Sequence, residues 1–100
     1  MVEKMTHLQI LDEIYSIVNK RKKEKKRNSY TYKIIKKGKK KIAQKVLEES
    51  SELIIDFLNG SKKRTIEEAS DLLYHLIVLL NVKKILPKEI AKELRSRYKK

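Results

Sequence analysis

The chain has no cysteine and no tryptophan, and only one proline, one phenylalanine and two glycines in 100 residues. Without cysteine there are no disulfides and no thiolate metal sites. Few glycines and prolines, with little alternation of apolar and polar residues, argue against a sheet and for an all-α fold. No apolar run approaches the roughly 20 residues that span a bilayer. The amino terminus lacks a signal-like hydrophobic segment, so a cytoplasmic location with no membrane partner is expected. A chain of this length makes one domain, residues 1–100, burying roughly two-thirds of its unfolded surface. So modest a core is often extended by dimerising.

What the chain has in excess is positive charge, a formal net +13. Residues 20–45 hold 14 of the 26 Lys and Arg and a single acid, Glu24. Such a block suits nucleic acid, polyphosphate or nothing in particular. Against that background the acids are concentrated, in Glu48-Glu49-Ser50-Ser51-Glu52 and in Glu68-Ala69-Ser70-Asp71.

Helical spacing organises the rest into four or five helices. Thr6 and Gln9 read as a capping box opening a first helix, with Leu8, Leu11, Tyr15 and Val18 inward and His7 on the surface. Lys20 to Arg27 reads as a frayed end or basic loop. Ser29 caps a short helix anchored by Tyr30, Ile34 and Ile35 and closed by Gly38. The third helix runs from about Lys39 to Leu58 and stops at Asn59-Gly60 in a left-handed conformation. Its apolar stripe is Ile42, Val46, Leu53 and Phe57; Lys45, Glu49, Glu52 and Asp56 line one flank, and Glu48 points further round. The fourth runs from Ile66, behind a Thr65–Glu68 capping box, to about Lys83. Leu72, Leu73 and the run Leu76 to Leu80 cover nearly its whole circumference, as in a buried helix. Pro87 suits the first turn of a last helix, with Ile90, Ala91 and Leu94 inward and a solvated tail from Arg95.

Two helices joined at Asn59-Gly60-Ser61 run antiparallel, so the two acid clusters can face each other. Carboxylates about 4 Å apart repel by about 4 kcal/mol at an effective dielectric of 20, and buried ones need pairing or a metal. Each acid alone has an ordinary alternative, Glu68 as a helix cap and Glu48 and Glu52 as solvated surface positions. Taken as a set, ExxE followed by ExxD, hard oxygen donors favour Mg²⁺, or Mn²⁺, over zinc. The expected ligands are Glu49, Glu52, Glu68 and Asp71. His75, on the same side as Glu68 and Asp71, is read as a hydrogen-bonded core or interface residue. A spare carboxylate among Glu48, Glu49 and Glu52 serves catalysis as a base.

Lys45-Val46-Leu47-Glu48-Glu49-Ser50-Ser51-Glu52 followed by Glu68-Ala69-Ser70-Asp71-Leu72-Leu73-Tyr74-His75-Leu76 closely resembles the phosphoribosyl-ATP pyrophosphatases of histidine biosynthesis. These belong to the all-α NTP pyrophosphatase, or MazG-like, superfamily. Ser29-Tyr30-Thr31 and Gly38 fall where that family has its own Ser-Tyr-Thr and glycine. The family usually carries Pro or Gly before Ser-Tyr-Thr; here Lys26-Arg27-Asn28 stands instead. The resemblance, from about Ile10 to Leu94, implies a MazG-like helical bundle, a homodimer, and Mg²⁺-dependent hydrolysis of 1-(5-phosphoribosyl)-ATP to the AMP form and pyrophosphate. Lys45 would then meet the triphosphate end. Some of Lys20, Arg21 and Lys22, or the hydroxyls of Ser29, Tyr30 and Thr31, would meet the remote ribose phosphate. Two alternatives stand beside it: a house-cleaning (d)NTP pyrophosphatase with the same metal site, and a basic helical module binding nucleic acid through residues 20–45. The second is the weaker, since no recognition-helix signature is present.

Overall fold

The computed structural model describes the backbone of residues 2–98 and the side chains of residues 9–98. Five helices account for the described chain: α1 Val2–Glu24, α2 Tyr30–Lys37, α3 Lys39–Asn59, α4 Lys62–Val82 and α5 Pro87–Tyr98. The long antiparallel pair α3 and α4 is the principal packing unit. Helices α1 and α2 pack on it, while α5 makes its main contact with α1.

Among the described residues the buried apolar core is small, consisting of Tyr15, Val18, Ile34, Ile42, Ile77 and Val78. Leu11, Ile14, Ile35, Tyr74, Leu79, Leu80 and Val82 pack against it. Of the buried polar residues described, Asn81 is the least exposed, at 2%. It accepts from Lys22 Nζ at 2.8 Å and donates to Asn19 Oδ1 at 2.9 Å. That pair of bonds clamps the end of α1 to α4 and satisfies an amide that would be costly to bury alone.

Several expected boundaries move. α1 begins at Val2, upstream of the expected Thr6 start, and continues to Glu24, so most of the supposed basic loop is helical. The side chains of Thr6, His7 and Leu8 lie outside the described residues. α4 begins a turn before the expected capping box. Ser61 is its cap, accepting from the Arg64 amide at 3.1 Å. Thr65 is inside the helix, its hydroxyl donating to the Ser61 carbonyl at 2.9 Å. Gly60 has φ −100°, so α3 ends in extended rather than left-handed backbone. Of the two glycines it is Gly38 that has a positive φ (+100°), at the tight joint between α2 and α3, where a side chain would be strained.

The apolar faces also differ from expectation. Phe57 of the α3 stripe is 69% exposed. Leu73 and Leu76 are exposed, so α4 is not buried all round within one chain. Ile90 and Leu94 of α5 are exposed, and only Ala91 among the three is half-buried. Periodicity identifies an apolar face; it does not say whether the same chain supplies the cover. None of the described helices is long and apolar enough to cross a membrane.

Ile42, 2% exposed, is expected to carry far more stability than its exposed counterparts. Ile42→Ala should cost about 2–5 kcal/mol in urea unfolding, whereas Ile10→Ala should stay within roughly 0.5 kcal/mol.

Candidate metal and nucleotide site

The α3–α4 hairpin brings the acid clusters together. Ligand oxygens of Glu49, Glu68 and Asp71 all lie within 4.8 Å of one another. Glu49 and Glu68 are buried, while Asp71 is exposed. Glu52, also exposed, lies near enough to bear on the Glu68 carboxyl. Glu49 and Glu52 come one turn apart from α3, Glu68 and Asp71 one turn apart from α4, as i, i+3 neighbours must.

Basic partners offset part of this charge. Arg64 reaches Glu68 Oε2 at 2.8 Å, Glu67 Oε1 at 2.9 Å and Asp56 Oδ2 at 3.6 Å. Lys45 Nζ sits 3.3 Å from Glu48 Oε1 and 3.6 Å from Glu49 Oε2. Partial desolvation opposes the Lys45 charge, but the hydrogen bond to Glu48 and the charges around it outweigh that and raise its pKa. Among the described residues two buried oxygens stay without any partner, Glu49 Oε1 and Glu68 Oε1. Orphaned buried carboxylate oxygens are costly. Two of them in a three-carboxylate cluster fit a hard divalent cation. Desolvation, then the contact with Glu52, holds the Glu68 carboxyl above its usual range despite the pull of Arg64.

Glu48 is turned aside. It is held by Lys45 and by Gln44 Nε2 at 3.1 Å, and it does not join the cluster. His75 is buried and hydrogen-bonded, as expected of a core histidine. Its Nδ1 donates to the Asp71 carbonyl at 2.8 Å. Since that carbonyl only accepts, the proton is on Nδ1, and Nε2 accepts from the Tyr30 hydroxyl at 2.7 Å. The imidazole thereby ties the α4 backbone beside Asp71 to the start of α2.

The Ser-Tyr-Thr stretch is more occupied than its sequence suggests. Ser29 Oγ caps α2, accepting from the Tyr32 amide at 3.2 Å. Thr31 Oγ1, buried, bonds the Tyr74 hydroxyl, whose pKa is raised by burial. The Tyr30 hydroxyl is taken by His75, and burial, with the nearby acids, raises its pKa as well although Lys45 pulls the other way. Beside these residues lies an open cleft of about 340 Å³ lined by Arg21, Lys26, Asn28, Ser29, Tyr30 and Thr31. A second, of about 220 Å³, is lined by Tyr30, Lys33, Ile34, Lys37, Lys41, Lys45 and Glu48. Arg21 and Lys45 therefore serve different clefts. Lys22 lines neither of them; its ammonium is donated to Asn81. Lys26, Asn28, Lys33, Lys37 and Lys41 were not singled out by sequence, because lysines in a lysine-rich block carry no distinguishing spacing.

The family described as Phosphoribosyl-ATP pyrophosphohydrolase matches residues 11–98. A relative from Sulfolobus acidocaldarius named "Phosphoribosyl-ATP pyrophosphatase" is 48% identical over 91 residues, 91% of this chain and 96% of the relative. Relatives of the same name from Sulfurisphaera tokodaii and Saccharolobus solfataricus are 44% identical over 90 residues and 43% over 91. They too are covered over 96% and 97% of their length.

The crowding of Glu52 on Glu68 is testable without turnover. Glu52→Gln should raise the Tm of the metal-free protein by roughly 4 °C and reduce the further rise that Mg²⁺ produces. A carboxyl raised in the folded state destabilises above its folded pKa, and that penalty fades as pH falls toward 4.5. The Tm gain from Glu52→Gln should therefore shrink in mild acid, as read by calorimetry.

Proposed function

Because this chain belongs to the phosphoribosyl-ATP pyrophosphohydrolase family, we propose that it hydrolyses 1-(5-phosphoribosyl)-ATP to 1-(5-phosphoribosyl)-AMP and pyrophosphate in histidine biosynthesis, as a cytoplasmic enzyme. The observation that carries the chemistry is the Glu49, Glu68 and Asp71 cluster with its two orphaned buried oxygens. These three residues would hold Mg²⁺. When bound, the ion neutralises the triphosphate and makes water a better nucleophile toward the α–β anhydride. Glu52, exposed at the edge of the cluster, takes the proton released as water attacks. Lys45, already paired with Glu49, shifts its charge onto the entering triphosphate.

The substrate differs from ATP by a second ribose phosphate attached to the adenine. Its recognition calls for cations at two separated points, and the two basic clefts supply them. The Lys45 cleft adjoins the acids. The Arg21 cleft lies at the start of α2, where first-turn amides of Tyr30 and Thr31 have no partner within the helix. A phosphate there gains the helix terminus and the guanidinium together.

A homodimer completes this reading. Ile54, Ile55, Phe57, Leu58 and Ile66 are all more than half exposed, at and near the α3–α4 turn, against a core of six buried apolar residues. The chain is also spread, with a radius of gyration of 14.9 Å against about 13 Å for a compact domain of this size. A second copy supplies the missing cover.

Asp71→Asn should lower Mg²⁺ affinity in calorimetry and cut turnover by on the order of a hundredfold. Glu52→Gln should cut turnover by about 10²–10⁴ with a smaller loss of Mg²⁺ affinity. Unchanged affinity in Asp71→Asn would remove the ligand assignment.

Arg21→Ala is expected to lower kcat/KM for phosphoribosyl-ATP by at least about tenfold, and for ATP hardly at all, because remote binding energy is expressed at the reacting end. Equal losses on both substrates, or a dNTP turned over as well as phosphoribosyl-ATP, would replace this reading with that of a general pyrophosphatase. Sedimentation should find a dimer, and Ile55→Glu should shift it toward monomer.

A further inference from the structure

Tyr30 is the residue that the two basic clefts share. Its hydroxyl, which would ordinarily be the functional end of a tyrosine, is used up in the bond to His75 Nε2. The ring is held from behind by the edge of His75, with centroids 5.6 Å apart at 83°, and by Tyr74 at 6.2 Å and 40°. Yet Tyr30 remains 48% exposed. A large aromatic side chain anchored at its tip, braced by two further rings and open to solvent is a preorganised surface, with little rotamer freedom left to lose on binding.

Resting on phosphoribosyl-ATP as the substrate, we propose that the Tyr30 ring is the platform on which the substrate's adenine stacks as it passes from one basic cleft to the other. The base lies between the triphosphate-bearing ribose and the second ribose phosphate. If the two phosphate ends occupy the two clefts, the base crosses the residue between them. Alkylation at N1 also makes adenine more basic, so the substrate's base carries positive charge more readily than that of ATP. A phenol face favours such a base through the negative face of its π system, and Glu48 and Glu49 bear on Tyr30 alongside the opposing Lys45. Tyr30 thereby contributes selectivity through its ring, and the hydroxyl serves only to set the ring's plane.

The absence of tryptophan from the chain makes this directly readable. Tyr30→Trp places a lone indole at the platform. Its fluorescence should be quenched, saturably, by phosphoribosyl-AMP in the presence of Mg²⁺, and not by ribose 5-phosphate plus pyrophosphate, which lack the base. Tyr30→Leu should raise KM for phosphoribosyl-ATP by about tenfold or more, the scale of one base–aromatic stack. Tyr30→Phe, which keeps the ring and loses the anchor, should raise it by only about threefold. In both, kcat should change less than KM. A wild-type KM in Tyr30→Leu, or no quenching in a Tyr30→Trp enzyme that still hydrolyses phosphoribosyl-ATP, would overturn the platform and leave the substrate assignment standing. A wild-type enzyme inactive on phosphoribosyl-ATP would overturn both.

Discussion

Two carboxylates, Glu49 and Glu68, are buried face to face across the α3–α4 hairpin, each with one oxygen that nothing among the described residues satisfies. Buried charge of one sign is the most expensive thing a small helical protein can hold. Around this point the positive residues are arranged: Arg64 caps one carboxylate, Lys45 the other. Neither cation reaches the inner oxygens. The fold thus leaves buried acceptors open, as is common where structure is spent on binding rather than on stability.

A second framework, of neutral hydrogen bonds, runs behind the first. His75 links the Asp71 carbonyl to the Tyr30 hydroxyl, and Tyr74 bonds Thr31. Both connections tie α2 to α4, so the basic clefts at the start of α2 and along α3 are registered against the acid cluster. Asn81, with Lys22 and Asn19, does the same for α1. Holding two basic clefts at a set distance from an acid cluster calls for this kind of rigid, side-chain-mediated bracing. It also explains why hydroxyls that look free for a ligand are already committed.

Helix periodicity was legible because it is local. The spacing of Leu11, Tyr15 and Val18, the Ser29 cap and the start of α5 at Pro87 each depend on residues within a turn or two. Boundaries that turned on a choice between neighbouring caps were less legible. Thr65 precedes a suitable acid at Glu68, whereas Ser61 is followed by Lys62, Lys63 and Arg64, yet Ser61, entered from the extended backbone of Gly60, is the cap. Exposure was the least legible. Leu73, Leu76, Ile90 and Phe57 lie on apolar stripes, and a stripe does not reveal which surface covers it.

The sequence by itself determined an all-helical chain, an acid-bearing hairpin and the four acids Glu49, Glu52, Glu68 and Asp71, because i, i+3 spacing and a short turn leave those side chains little choice of side. Tertiary structure alone decided which of them are buried and that Lys22 belongs to Asn81. It also decided that Tyr30 presents a ring rather than a hydroxyl. Those outcomes depend on contacts between residues as much as 59 positions apart, and the partner of a long polar side chain is set by which helices meet, not by its neighbours along the chain.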